Sequence, residues 1–212
     1  MPTIDELTIA DEARTWEALG FAVEGEGCQL AGVRVCLAGR AAGEGILSWS
    51  LRGLRSAELD GLPTTLSERP AHPPALTQPN GVVGIDHIVA VSPSFERSVD
   101  AMTAAGMDLR RVREQPTPAG APRQAFFRLG REILELIQEP DDAVERRGGP
   151  ERPVHFWGLA LLVDDIEQSV GHFAPHCSEA RTAVQAGRRI ATVKRSAGLA
   201  FPLALMRRRE TD

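Results

Sequence analysis

The stretch GIDHIVAVSPSFERSV at residues 84–99 decides the fold, because its pattern returns as HFWGLALLVDDIEQSV at residues 155–170. Each copy reads as an apolar strand, then a polar helix cap, then a helix with an i, i+4, i+7 apolar stripe. The copies differ at one reactive position, where His87 of the first corresponds to Gly158 of the second. A strand–helix motif has therefore been duplicated without its histidine.

Each copy opens a longer repeat of the form β-α-β-β-β. In residues 83–140, Ser92 is predicted to cap the helix, and Gly130 predicts a tight hairpin between the last two strands. In residues 153–208, Asp164 is predicted to begin the helix, and three strands follow. The sequence therefore predicts an α+β protein with mixed sheets.

Residues 1–55 fit the same template more loosely, and residues 56–82 hold five prolines, which predict an extended linker. We expect the repeats at 83–140 and 153–208 to form one compact body, with the first repeat tethered to it. The strands predicted for the first repeat are Leu7–Ile9, Phe21–Glu24, Gly32–Leu37 and Ile46–Leu51.

Composition excludes several classes of function. With 212 residues, 42% of them hydrophobic, the chain can bury a sizeable core, and a net charge of −5 argues against a nucleic-acid partner. No apolar run approaches the roughly 20 residues that span a membrane, so no membrane partner is expected. Cys28, Cys36 and Cys177 lack metal or disulfide spacing, which indicates reduced thiols and a cytoplasmic protein.

The repeat that opens with HIVAV at 87–91 and closes with ILELIQ at 133–138 resembles the vicinal oxygen chelate superfamily. That superfamily includes glyoxalase I, extradiol dioxygenases, methylmalonyl-CoA epimerase and bleomycin resistance proteins. The resemblance implies curved sheets that form a cup, with the helices outside. It also implies a divalent metal (Zn, Ni, Fe, Mn or Co) held by a first-strand histidine and a last-strand glutamate, and His87 and Glu135 match those positions.

Alternation supports this match, because His87 and Glu135 each lie on a strand face otherwise occupied by Ile or Val. A carboxylate on such a face is costly unless it meets a partner. Three roles for His87 remain open at this point. It could bind a metal, act as a general acid or base oriented by Glu135, or pack in the cup and hydrogen-bond to Glu135.

The sequence departs from the chelating pattern in the other repeats. Gly158 occupies the histidine position of the third repeat, no Asp or Glu occurs between Ala180 and Arg209, and residues 1–55 contain no histidine. Metal sites of this chemistry need at least three protein ligands. The pattern therefore favours either no metal cofactor or a weak site at His87 and Glu135.

Two functions follow. The first is a protein that binds a small apolar or aromatic molecule, neutral or anionic, in a cup with an incomplete metal site. The second is a lyase, epimerase or dioxygenase of the same superfamily, metal-dependent or metal-free, that uses His87 and Glu135. A homodimer is also expected, because three repeats leave the sheet edge of the first repeat, residues 1–55, without a partner in the same chain. The expected ligand-binding residues are Phe127, Trp157, Gly158 and Arg189.

Overall fold

The computed structural model describes residues 1–73, 78–117 and 120–208; residues 74–77 of the predicted linker lie outside the described part. The α-helices are α1 (Ala13–Ala18), α2 (Phe95–Ala104), α3 (Asp141–Arg146) and α4 (Ile166–His172). The strands are β1 (Thr3–Ile9), β2 (Gly27–Leu30), β3 (Val33–Leu37), β4 (Ile46–Arg52), β5 (Thr64–Leu66), β6 (Val82–Ser92), β7 (Asp108–Arg113), β8 (Gln124–Leu129), β9 (Glu132–Gln138), β10 (His155–Val163), β11 (Arg181–Thr182), β12 (Arg189–Val193) and β13 (Leu203–Arg207).

The strands lie in two curved mixed sheets, one of five and one of eight strands, which confirms the α+β prediction. In the described part of the chain, no helix is long and apolar enough to cross a membrane.

The chain divides into two compact units, each made of three segments. The first unit contains Met1–Asp5, Ser48–Arg69 and His87–Trp157. The second unit contains Glu6–Leu47, Pro70–Asp86 and Gly158–Asp212.

In the first unit, β6 pairs in parallel with β9, which continues through antiparallel pairs to β8 and β7. Helix α2 follows β6, and its Phe95 and Met102 are buried, as the predicted stripe requires. The buried sheet face includes Ile88, Leu134 and Phe127. The order β6-α2-β7-β8-β9 is the β-α-β-β-β repeat predicted for this stretch.

In the second unit, β10 pairs in parallel with β13, and antiparallel pairs continue to β12 and β11. This is the pairing scheme of β6 to β9 repeated, with α4 in the place of α2. Ile166 and Phe173 anchor α4 and the turn after it in the core. The duplication in the sequence therefore corresponds to a duplication of strand pairing.

The first repeat differs from its prediction. β1 pairs in parallel with β3, and β4 pairs with β5, which lies inside the predicted linker. The strand predicted at Phe21–Glu24 is wrong, since the strand before β3 is Gly27–Leu30. Phe21 is instead part of an aromatic cluster, with its ring centroid 4.6 Å from that of Trp16 and 5.9 Å from that of Phe173.

Both helix starts are displaced from the predicted caps. Helix α2 begins at Phe95 after Ser94, and the Ser92 hydroxyl accepts a hydrogen bond from the Ser94 backbone N–H at 3.0 Å. Helix α4 is capped by Asp165, one residue after the predicted Asp164. Ser92 therefore stabilises the turn that precedes α2 and does not cap the helix.

Candidate functional site

The site begins with a histidine and a glutamate on neighbouring parallel strands. In the register of β6 and β9, His87 lies beside Ile133 and Val89 lies beside Glu135, so both polar side chains share one sheet face. His87 Nε2 lies 3.5 Å from Glu135 Oε2, and both side chains are largely buried. The structure therefore brings together the two residues that the sequence singled out.

The second carboxylate oxygen of Glu135 is held by a glutamine from β8. Gln124 Nε2 donates a hydrogen bond to Glu135 Oε1, and the two residues are 7% and 8% exposed. Charged hydrogen bonds of this kind offset the cost of burying a carboxylate. Within the described residues, Gln124 Oε1 is buried without a hydrogen-bond partner.

Gln124 was not predicted from the sequence, although a signal for it exists. The predicted hairpin at Gly130 places Leu129 opposite Glu132. Counting back along both strands then places Phe126 opposite Glu135, and Gln124 lies two residues further along the same face. The register between β8 and β9 could therefore have been predicted from the position of the hairpin.

The same register corrects the placement of Phe127. Phe127 pairs with Leu134 and is fully buried, so it lies on the opposite face of the sheet from Glu135. Phe126 is the aromatic residue on the Glu135 face. Beside Glu135 this face carries the apolar residues Val89, Ile133 and Ile137, and Arg128 shares it opposite Ile133.

In the third repeat, the position equivalent to His87 is closed by backbone. A Cβ on Gly158 would lie 2.8 Å from the Pro202 carbonyl oxygen, closer than real Cβ atoms approach. The position equivalent to Glu135 is Ala204, which lies beside Ala160 as Glu135 lies beside Val89. The third repeat therefore offers no histidine or carboxylate at these two positions, and any side chain at position 158 would displace the backbone at Pro202, just before β13.

We tested whether these residues fit the divalent metal that the resemblance implies. The described residues contain no group of three or more His, Cys, Asp or Glu side chains that could hold a metal ion. His87 and Glu135 supply two donors, whereas a stable site of this class takes at least three protein ligands. The donor set does not fit a complete metal site.

The other predicted ligand-binding residues, Trp157 and Arg189, are described by their own surroundings. Trp157 is 50% exposed, and strand alternation points it to the opposite side of β10 from Gly158. Arg189 forms an ion pair with Glu167 and donates to the Ala180 carbonyl at 2.8 Å.

Two further polar residues of the third repeat, Arg188 and His155, are also candidates, to be judged by their hydrogen bonds and burial. Arg188 is buried, pairs with Asp86 and donates to the Arg207 carbonyl at 3.0 Å. Burial lowers the pKa of His155 below its usual value, which favours the neutral imidazole.

Comparison with known proteins gives similarity of structure only. No protein-family model and no curated protein sequence matches this chain. A 4-hydroxymandelate synthase mutant from Streptomyces coelicolor shares 15% identity, with 98% of this chain and 93% of that chain covered and a TM-score of 0.59. A xylose isomerase-like TIM barrel/4-hydroxyphenylpyruvate dioxygenase fusion protein shares 13% identity over 98% of this chain and 49% of that chain, with a TM-score of 0.60.

A third similar structure is methylmalonyl-CoA epimerase from Mycobacterium tuberculosis. It shares 16% identity, covers 62% of this chain and 91% of its own, and has a TM-score of 0.49. At these identities the two longer matches show the fold.

Proposed function

We propose that this chain, which has the fold of the vicinal oxygen chelate superfamily, binds a small organic molecule on the sheet face that carries His87 and Glu135. The proposal includes no requirement for a metal ion. One observation carries it: a buried carboxylate is held between a histidine and a glutamine, with Val89, Ile133 and Ile137 as its apolar neighbours. An apolar surface with a few convergent polar groups is typical of a small-molecule site.

The third repeat supports a metal-free site. The contact of Gly158 with the Pro202 carbonyl leaves no room for a second histidine, and Ala204 replaces a second glutamate. Ligand recognition would then rest on hydrogen bonds and apolar contacts, without a metal ion that binds both protein and ligand. Cys28, Cys36 and Cys177 form no disulfide with one another, which fits the reducing cytoplasm proposed for the protein. The homodimer stays a prediction, and light scattering would measure the oligomeric state.

A second candidate function is proton transfer by a lyase or epimerase, with a dioxygenase as the metal-dependent variant. The 3.5 Å separation of His87 Nε2 and Glu135 Oε2 favours it, because a neighbouring carboxylate orients an imidazole for proton transfer. In this role His87 would exchange the proton with the ligand, and Glu135, fixed by Gln124, would position His87.

The variant Glu135→Gln separates ligand binding from proton transfer. Under the binding proposal, we expect compounds that raise the melting temperature of the wild type in the presence of a chelator to bind Glu135→Gln within about threefold of the same affinity. Under the enzymatic alternative, turnover falls by about 10²–10⁴-fold while binding persists. Thermal-shift screening followed by calorimetry and product analysis measures both quantities.

Glu132→Gln is the matched control, because Glu132 is on the same strand and the opposite face. It should leave ligand affinity unchanged. Metal content provides the contradicting outcome. If protein incubated with Mn, Fe, Co, Ni and Zn and then desalted retains one ion per chain, and His87→Ala loses it, the metal-free site is wrong.

A further inference from the structure

We propose that the ligand of this site is an apolar or aromatic hydroxycarboxylic acid. Its carboxylate binds Arg111 and Arg113 on β7, its hydroxyl donates to Gln124 Oε1, and its apolar group packs on Phe126 and Ile137. This inference rests on the proposed function and deepens it by naming the chemical class of the ligand.

A β-bulge brings the arginines to the Glu135 face. Leu109 pairs with Phe127 on the core side, but the register then shifts, and Arg111 pairs with Phe126, the neighbour of Glu135. Without the extra residue, Arg111 would lie on the same face as Phe127. Bulges that re-aim side chains are frequent beside functional sites, and this one delivers cations to a face that already holds the buried carboxylate.

The charges of these two arginines are available to a ligand. The Arg111 guanidinium carbon lies 4.9 Å from the centre of the Phe126 ring, so its charge is held over the sheet face. Among the described residues, no carboxylate forms an ion pair with Arg111 or Arg113. Arg110, in contrast, is already paired with Asp108 at 3.3 Å.

Gln124 supplies the second, independent observation. Its amide nitrogen is used by Glu135, whereas its oxygen is buried and lacks a partner among the described residues. An unsatisfied buried acceptor costs about 1–3 kcal/mol, so a ligand that offers a donor there gains affinity. Gln124 lies beside Arg113 in the sheet, which places the hydroxyl next to the carboxylate.

The order of the strands fixes the orientation of the ligand. Adjacent strands are about 4.8 Å apart, so the arginines on β7 lie roughly 10 Å in the sheet from Glu135 on β9. Glu135 repels a carboxylate, and the arginines attract it. The acid group therefore lies at the β7 edge, and the apolar group extends over Phe126 and Ile137 towards β6.

The test uses three hydroxy acids, each with two matched partners. Mandelate, phenyllactate and hydroxyisovalerate are compared by calorimetry with their deoxy acids and with their methyl esters, on the full chain in buffer with chelator. We expect at least one hydroxy acid to bind about tenfold more tightly than both of its partners, as expected for one charged and one neutral hydrogen bond. If no hydroxy acid binds more tightly than its deoxy acid and its ester, the proposal is wrong.

Variants then assign the contacts. The double variant Arg111→Gln/Arg113→Gln should reduce the affinity for the hydroxy acid at least tenfold and leave ester binding unchanged. Arg110→Gln removes the same kind of charge from the same strand and should change affinity less than threefold. Gln124→Leu should bring the affinities for the hydroxy acid and the deoxy acid together, and the wild-type comparison remains decisive if this variant fails to fold. An Arg110→Gln effect as large as that of the double variant would overturn the assignment.

The outcomes also separate this inference from the proposed function. Suppose that neutral compounds bind, that substitution of His87 weakens this binding, and that the arginine variants do not change it. This result would support the proposed function and refute the hydroxy-acid class. Absence of any ligand among neutral and anionic compounds would refute both.

Discussion

Glu132 and Glu135 lie three residues apart on β9, on opposite faces of the sheet. Glu135 meets His87 and Gln124. Glu132 lies on the core side, where burial is the main effect on its carboxyl group and raises its pKa, and the backbone N–H groups of Glu132 and Arg131 oppose the shift. A glutamate therefore has a proposed site role on one face of β9 and a cost to stability on the other.

The variant Glu132→Gln should stabilise the protein at neutral pH. A carboxyl group whose pKa is raised in the folded state destabilises the fold as pH rises from the unfolded value, about 4.3, to the folded value. Removing the charge should raise the free energy of unfolding at pH 7 by about 1 kcal/mol and reduce its decline over that pH window. Urea denaturation from pH 4 to pH 8 measures this.

Glu145→Gln on α3 is the control for Glu132→Gln, because Glu145 is exposed. It should leave the free energy of unfolding unchanged. Equal stability of wild type and Glu132→Gln across the whole pH range would contradict the prediction.

At this scale, the sequence predicted His87 and Glu135, which the structure places side by side, and it did not predict Gln124. His87 and Glu135 were identified through the superfamily resemblance, and strand alternation supported the match, because each lies on an apolar face of its own strand. Gln124 and Phe126 required the register between β8 and β9, which alternation within one strand does not contain. Arg111 was beyond reach, since a bulge leaves no mark in local hydrophobic alternation.

At the scale of elements, the order of strands and helices in the second and third repeats follows from the duplicated pattern. The helix starts were misplaced, because several neighbouring residues can cap a helix and only geometry selects one. At α4, Asp165 Oδ1 accepts hydrogen bonds from the backbone N–H groups of Glu167 at 3.0 Å and Gln168 at 3.1 Å. Asp164 instead forms an exposed ion pair with Arg208 at 3.1 Å.

Replacement of each aspartate by alanine tests this assignment. Asp165→Ala leaves two N–H groups of the first turn without their acceptor and should lower the free energy of unfolding by about 1 kcal/mol. Asp164→Ala removes one surface ion pair and should cost less than about 0.5 kcal/mol. Chemical denaturation of the two variants provides a matched comparison. A larger loss of unfolding free energy in Asp164→Ala than in Asp165→Ala would show that Asp165 is not the main helix cap.

At the scale of the whole molecule, each compact unit combines segments from both sides of the predicted linker. In the first unit, Arg97 Nε donates to Asp60 Oδ1 at 2.6 Å, and the Trp49 and Phe156 ring centroids are 5.2 Å apart. In the second unit, the Ala200 N–H donates to Asp11 Oδ1 at 2.8 Å. Contacts between such distant segments follow from packing and are not encoded in any local pattern, so the sequence predicted repeats but not these units.

A fragment of residues 83–208 tests how far the repeats depend on the first part of the chain. It retains both complete β-α-β-β-β repeats but loses Trp49, Asp60 and Asp11 together with their strands. We expect the fragment to lack the cooperative unfolding transition of the full chain in guanidinium, as followed by circular dichroism. A cooperative transition with the stability of the full chain would instead support the repeats at 83–140 and 153–208 as one independent body.

The contact between Gly158 and Pro202 also bears on which substitutions the chain can accept. A histidine cannot be introduced at position 158 by one substitution without a backbone shift, because its Cβ would lie 2.8 Å from the Pro202 carbonyl oxygen. The backbone would have to retreat first, at a cost to stability and with no gain in binding until the histidine arrived. The close approach therefore separates the present chain from one with a second histidine by at least two changes, of which the first costs stability.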